Sequence, residues 1–244
     1  MLFITYDGLL DQLGGSQILP YLYGIASHNR PLHILSFEKP ERFVASSEMM
    51  AINLMTRGID WTPLLFTSHG GKLGKLWDLG RMYIVAIALQ CRYRFGIIHC
   101  RSYQAMQVGC LLKRVFGIKI IFDMRGLWVD ERVDGGLWRL NHVVDRFIYF
   151  IYKKIERELL ACATHIIALT ERVVPELRQL SPEMTSELTV IPCCADFDHF
   201  RVSGPVDKVR MRSNLGLPAN ARVISYLGSL GTWYLLEDML YFFL

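Results

Sequence analysis

The chain has 244 residues, of which 52% are apolar and 20% charged, and its formal net charge is +4. That apolar share builds a substantial core and excludes a disordered segment, and the length fits one large domain or one domain plus part of another. The small positive balance, with no concentrated basic tract, excludes a chain built to hold nucleic acid.

The chain opens on an apolar strand, Leu2–Tyr6, with no basic leader or cleavage site, so a cytoplasmic protein is expected. The turn "GLLDQLGGSQ" then places Gly14 and Gly15 just before a helix expected over 16–28. Glycines let the backbone approach a ligand, and a helix N-terminus offers N–H groups to a phosphate; a plain turn accounts for the same pair. The spacing is not the G-x-G-x-x-G of dinucleotide sites. A second strand, His33–Phe37, leads to Glu38, which stands where a ribose-binding acid would lie. Beside Lys39, Pro40 and Glu41 it reads better as the solvated start of a helix over 41–56. The third strand, Asp60–Leu64, is followed by a helix over 72–94. Its apolar run "MYIVAIALQC" has ten residues, half of the roughly twenty that a membrane span needs.

The fourth strand, Ile97–Cys100, runs into "HCRSYQAM". Arg101 and Ser102 stand at its carboxyl end, where they can grip a phosphate or a sugar hydroxyl. The alternative is that Ser102 caps the helix over 103–115 and Arg101 pairs with a surface acid. The fifth strand, Ile118–Phe122, stops at Asp123 and releases the densest charge of the chain, "FDMRGLWVDERVDGGLW". Asp123, Arg125, Asp130 and Glu131 offer acceptors and donors suited to a hydroxyl-rich ligand, and Trp128 can stack on a sugar face. A structural salt-bridge cluster is the alternative. The amphipathic helix expected over 137–161 carries Arg139, Arg146, Lys153, Lys154 and Arg157. With Lys72, Lys75, Arg81, Arg92 and Arg94 it can rest on anionic lipid, or it simply divides core from solvent. The sixth strand, His165–Leu169, precedes a helix over 171–180 with Thr170 as its cap, and the seventh is Leu188–Ile191.

Strands alternating with helices predict an α/β fold: a Rossmann-like parallel sheet with helices on both faces. In such sheets ligands bind beyond the carboxyl ends of the strands, where these loops lie. After Ile191 the pattern changes. "PCCADFDHFRVSGP" reads as a connector; its Cys193, Cys194 and His199 lack the paired spacing of a zinc site, and the six cysteines follow no disulfide framework. A short helix over 206–214 follows. Then "ARVISYLGSLGTWYLLEDMLYFFL" repeats the opening order of apolar strand, glycine turn and helix. The division expected is a domain over 1–191, a linker with a short helix over 192–221, and the interrupted start of a second domain over 222–244.

In order along the chain, Gly14-Gly15-Ser16, "IIHCRSY", "FDMRGLWVDER", "ATHIIALTE", "VIPCCADFDHF" and "YLGSLGTWY" resemble the N-terminal domain of a family 4 glycosyltransferase of the GT-B fold. The resemblance implies two Rossmann-like domains facing across a cleft. The front one binds a saccharide or lipid-linked acceptor and the rear one binds most of a nucleotide-sugar donor. Transfer in that family retains the anomeric configuration, usually needs no metal, and uses the nucleotide-sugar as co-substrate and not as cofactor. It implies Gly14, Gly15 and Ser16 beside the donor diphosphate, where backbone N–H groups meet charge building on the leaving group. Arg101, Ser102, Asp123, Arg125, Asp130 and Glu131 would line the acceptor site, and Gly228 and Gly231 would form the glycine turn of the donor domain. Arg125 stands where many relatives have a histidine; a guanidinium cannot act as a base near neutral pH, so its implied role is to orient substrate. The family's paired glutamates, with seven residues between them in the second domain, occur nowhere in this sequence. The catalytic residues are therefore unassigned, and the chain is expected to be inactive alone. Two other readings stay open: a non-catalytic acceptor- or membrane-binding remnant, and, against the missing fingerprint, a nucleotide-dependent oxidoreductase.

Overall fold

The computed structural model describes the chain apart from residues 29, 69–70, 198–203, 229–234 and 244. Seven parallel strands form one sheet: β1 (Leu2–Thr5), β2 (Leu32–Glu38), β3 (Ile59–Leu65), β4 (Ile97–Arg101), β5 (Lys119–Asp123), β6 (His165–Ala168) and β7 (Glu187–Val190), in spatial order β3-β2-β1-β4-β5-β6-β7. The Rossmann-like α/β expectation holds, and each strand lies within one residue of its predicted bounds. Parallel neighbours require crossovers, and these pass through α1 (Leu19–Ala26), α2 (Pro40–Met55), α3 (Gly71–Tyr93), α4 (Ser102–Phe116), α6 (Val143–Cys162) and α7 (Val173–Leu180). Pro40 sits at the first turn of α2, where its missing N–H costs nothing. Gly117 ends α4 at φ 68, a left-handed position that favours glycine.

Side-chain alternation along the strands divides the core in two. Leu2 and Ile4 of β1 join α3, α4 and α6 in the larger cluster, with Met82, Met106 and Leu160 buried. Phe3 points the other way, into a smaller cluster with Leu22 of α1, Leu54 of α2 and Ile34 of β2. The chain runs outward from β1 through β2 to β3, then reverses to β4 on the other side. The carboxyl ends of β1 and β4 therefore flank a topological switch point.

Three local expectations are corrected. The helix predicted over 137–161 begins at Val143, and a separate short helix, α5 (Trp128–Asp134), forms inside the charged loop. Gly136 at φ 70 breaks the run, and the Trp138 N–H folds back onto the Arg132 carbonyl at 2.9 Å. Glu38 is fully buried, not solvated. It accepts the backbone N–H groups of Leu9 (2.9 Å) and Leu10 (3.1 Å) and the Ser36 hydroxyl (2.6 Å), pinning the loop after β1. Residues 222–227 form no strand; with no neighbouring strand edge their backbone groups have no ladder to join. Beyond them the chain forms α9 (Leu236–Phe243), after α8 (Pro205–Asn214).

Candidate functional site at the carboxyl edge of the sheet

Because Ile98 and Cys100 of β4 and Ile120 and Phe122 of β5 enter the larger core, His99, Arg101, Ile121 and Asp123 must face the other side of the sheet. The register then sets Thr5, Arg101, Asp123 and Ile167 in one row at the carboxyl edge, with Phe3, His99, Ile121 and His165 in the row behind. The smaller core draws on β1 to β3, α1, α2 and on Leu9 and Ile18 between β1 and α1. Over β4 to β6 this face opens instead into a cavity of about 890 Å³. Phe3 and Ile167 line its base, Gly15 to Ile18 with Pro20 and Tyr21 form one wall, and Ile191 to Asp196 form the other.

Arg101 is 3% exposed at this point. Its Nη1 lies 3.5 Å from Asp123 Oδ2, its Nε 3.4 Å from Asp7 Oδ2, and its Nη2 donates to Gln17 Oε1 at 3.2 Å. Arg125 converges on the same groups: Nη1 is 3.6 Å from Asp123 Oδ1, and Nη2 donates to Gln17 Oε1 at 3.1 Å and to Cys193 Sγ at 3.4 Å. His99 Nε2 stands 3.8 Å from Asp123 Oδ2, too far for a hydrogen bond, and the ring packs against Phe3 and edge-on to Tyr21. Burial pushes the Asp123 carboxyl up, but His99, Arg125 and Arg101 outweigh it and hold the group below the usual aspartate range. Burial, then the neighbouring Arg125, lowers the proton affinity of Arg101, with Asp123 and Asp7 opposing.

Residues 33–194, more than half of the chain, match the glycosyl transferase 4-like domain. The chain belongs to that family. Over 134 residues it is 26% identical to D-inositol 3-phosphate glycosyltransferase 2 of Catenulispora acidiphila, covering 55% of this chain and 29% of that protein. Sucrose-phosphate synthase of Thermosynechococcus elongatus superposes with a TM-score of 0.58 at 16% identity, covering 90% of this chain and 53% of that one. Anabaena HepE, solved with UDP, superposes with a TM-score of 0.56 at 16% identity, covering 88% and 49%. At such identities the likeness is one of fold: the chain has the Rossmann-like fold of one half of these GT-B structures and spans about half their length.

Within this glycosyltransferase domain the expected site residues part company. Arg101, Asp123, Arg125, Gly15 and Ser16 line the cavity. The helix expected to start after the glycines begins earlier, so Gly14 to Ile18 form a π-helical turn leading into α1. The Gly15 N–H is thereby committed to the Asp11 carbonyl at 3.1 Å, and the Ser16 hydroxyl donates to the Gln12 carbonyl at 2.8 Å. Gly14 is buried, and a Cβ there would stand 2.3 Å from the Gly8 carbonyl oxygen and 2.4 Å from that of Leu9. Its glycine is required by backbone packing. Ser102 does not line the cavity; it is the first residue of α4, with Arg101 in the cap position, and takes φ 68 where the chain turns off the sheet.

Asp130 and Glu131 leave the cavity altogether. Both sit on α5, where Asp130 accepts the Tyr149 hydroxyl and the Lys153 ammonium, each at 2.9 Å. Glu131 packs beside Gly126, where a Cβ would come 2.1 Å from its Oε1. Trp128, expected as a sugar platform, stacks among Tyr103, Trp138 and Tyr152 under the Arg132 guanidinium. Gly228 lies in a bend beside the Tyr226 ring, and Gly231 falls outside the described residues, as does His199. Among the described residues no cluster of three or more His, Cys, Asp or Glu side chains is placed to hold a metal ion. Gln17, Asp7 and His99 join this cluster without being among the expected site residues, and Cys193, weighed only as a zinc ligand, meets Arg125 instead. For His99 the signal was available, since it stands two residues before Arg101 in a strand. For Gln17, 84 residues from Arg101, there was none.

Proposed function

We propose that this domain is the acceptor lobe of a retaining glycosyltransferase that moves a sugar from a nucleotide-sugar donor to a saccharide or lipid-linked acceptor. The observation that carries the reading is the convergence of Arg101, Arg125 and Asp123 on one cavity at the β1/β4 switch point, in a chain of this family. The UDP held by Anabaena HepE supports a nucleotide-linked donor. Donor binding and the paired glutamates are assigned to a second lobe that begins near residue 222, with Gly228 and Gly231 in its first turn. The 244-residue chain is expected to release no nucleotide from UDP-glucose or other sugar nucleotides, and a chain extended through a second lobe is expected to transfer. Turnover by the 244 residues alone would refute the division of labour; an extended chain inert with every sugar nucleotide would refute the enzyme.

A cytoplasmic membrane surface is proposed as the place of action. On α6, Val143, Phe147 and Phe150 are 68%, 66% and 63% exposed along one face, with Arg146 and Lys154 also exposed. Among the described residues no helix is long and apolar enough to cross a membrane. Binding to vesicles containing phosphatidylglycerol, weakened by salt and by Phe147→Glu, is the expected result. The non-catalytic remnant predicts the same vesicle binding with no transfer when a second lobe is supplied.

A further inference from the structure

Cys110 on α4 and Cys162 on α6 meet at the larger core, where the two helices pack side by side. Both helices return from the carboxyl edge of the sheet to its amino edge, so they run parallel. Tyr103 on α4 hydrogen-bonds Glu156 on α6. About two helical turns further along each helix stand Cys110 and Cys162. There the Cys110 thiol donates a hydrogen bond to the Cys162 sulfur. One turn beyond Cys110, the Lys113 ammonium donates to the Cys162 carbonyl at 2.7 Å. The chain leaving α6 is held by β5 as well: the Thr164 N–H donates to the Ile120 carbonyl at 2.9 Å, and the Ile120 N–H to the Thr164 hydroxyl at 3.0 Å. Cys162 is therefore fixed beside Cys110. The third thiol nearby, Cys100, is fully buried against Gly109, where a Cβ would stand 2.5 Å from its Sγ, so it is committed to packing.

We propose that Cys110 and Cys162 are a redox-modification site, a reversible thiol–disulfide pair that staples α4 to α6. Packed helices lie about 8–10 Å apart, with Cα atoms about 2.3 Å from each axis. Facing residues then fall within reach of the Cα spacing of about 4.4–6.8 Å that a disulfide needs. Cys110 is buried and Cys162 only partly so, which lets an oxidant reach Cys162 first. The bond from Cys110, then Lys113 and Arg114, hold the Cys162 thiol below its ordinary range against burial; the same bond and burial push Cys110 up. Cys162 is thus the thiol that ionises first, and the thiolate is the nucleophile. With a peroxide as oxidant, the Cys162 thiolate attacks one oxygen, the O–O bond breaks, and a sulfenic acid forms with loss of one water. The Cys110 sulfur then attacks the Cys162 sulfur; the S–O bond breaks, the S–S bond forms, and the Cys110 proton leaves with the hydroxide as a second water. Two thiols lose two electrons and one peroxide gains them. Two glutathione thiols reverse the step and become glutathione disulfide. The bridge ties the helices away from the cavity edge, and it does not depend on the lobe assignment above.

The test is peptide mapping of the 244-residue chain after exposure to hydrogen peroxide or glutathione disulfide. Free thiols are blocked and the monomeric fraction is digested with trypsin. Cleavage after Arg101, Lys113, Arg157 and Arg172 sets Cys110 on residues 102–113, Cys162 on residues 158–172 and Cys100 on neither. The expected result is these two peptides joined, two hydrogens lighter than their sum and separated by dithiothreitol. The oxidised chain should melt at least about 5 °C higher, because the bridge closes a long loop in the unfolded chain. Cys162→Ser and Cys110→Ala should each abolish the joined peptide and the shift, and Cys100→Ala should keep both. Limiting iodoacetamide should label Cys162 at least tenfold faster than Cys110. If Cys110→Ala does not fold, the wild-type map and C162S decide the matter. Cys162 carrying glutathione alone, Cys162 joined to Cys100, or a 110–162 bridge that forms only in urea overturns the pair. A bridge that leaves the melting temperature unchanged or lowers it overturns the staple.

Discussion

The loop leaving β5 supplies two neighbouring regions, and they are built differently. At the cavity rim, Asp123 and Arg125 make contacts of 3.1–3.6 Å with Arg101 and Gln17. A few residues on, Asp130 enters a buttress between α5 and α6 where Lys153 bridges Asp130 at 2.9 Å and the fully buried Glu156 at 2.6 Å, and Tyr103 hydrogen-bonds Glu156. Opposite charges are abundant in both regions, so composition does not distinguish them. Closure does: the buttress satisfies its charges internally, while the rim leaves guanidinium capacity facing a cavity. The Tyr103 hydroxyl links the two, lying 3.2 Å from the Gly126 carbonyl oxygen, one residue beyond Arg125.

The contrast breaks most visibly at Glu156. Its removal leaves the Lys153 ammonium and the Tyr103 hydroxyl facing each other without their shared acceptor. Glu156→Ala is expected to cost about 3–5 kcal/mol in urea unfolding, with Glu156→Gln milder. A loss below about 1 kcal/mol would mean that the buttress is no tighter than an exposed ion pair.

Gly14→Ala comes next. A methyl group within 2.5 Å of the Gly8 and Leu9 backbone forces the loop after β1 to move, and that loop is pinned by Glu38. A loss of about 1–3 kcal/mol is expected by thermal or urea unfolding. An unchanged midpoint would show that the loop shifts freely, so that the cavity wall it supports is not fixed.

The difference between rim and buttress also marks what the sequence could reveal. The strands were legible because β-branched runs between helical patterns have one reading in a parallel sheet, and the carboxyl edge followed from that. That Arg101 and Asp123 line the cavity was legible because they end strands. Asp130, Glu131 and Trp128 stand apart from the cavity, and a charged run has no visible direction that would show it: α5, a single short helix inside the loop, turns Asp130 and Trp128 toward α6 and sets Glu131 beside Gly126. Gln17 was invisible because its role depends on two arginines far along the chain, and the π-helical turn that presents it has no compositional mark. Glu38 looked solvated beside Lys39 and Glu41, yet the unpaired N–H groups of Leu9 and Leu10 draw it inside.

At the rim, Asp123→Asn should cost less, about 1–2 kcal/mol near neutral pH, because its contacts are long and Arg125 keeps access to water. The sign with pH is fixed by the direction of the shift. A carboxyl held below its unfolded value contributes stability that is present above about pH 3.9 and is lost as pH falls through the lowered folded value. Wild type and variant should therefore converge in acid. Glu38 runs the opposite way: burial raises it against the hydrogen bonds from Ser36, Leu9 and Leu10, so its ionisation opposes folding as pH rises above its unfolded value. Urea unfolding of D123N and wild type from pH 7 to pH 2.5 reads the convergence directly, and a constant gap would mean that Asp123 matters by shape and not by charge.

The smallest effect is expected one residue from Gly14. A Cβ on Gly15 meets nothing within 4 Å, and the residue lies in a helical turn, so Gly15→Ala should stabilise the fold by about 0.5–1 kcal/mol. Because Gly15 lines the cavity, the same methyl group would narrow the wall where a ligand approaches. The rim reading predicts that G15A raises the melting temperature and, in a chain extended through a second lobe, slows sugar transfer. A gain in stability with unchanged transfer would place the substrate away from this wall. A loss of stability would show that Gly15, like Gly14, serves packing, and the contrast between a closed support and an open rim would then have to be drawn further along α1.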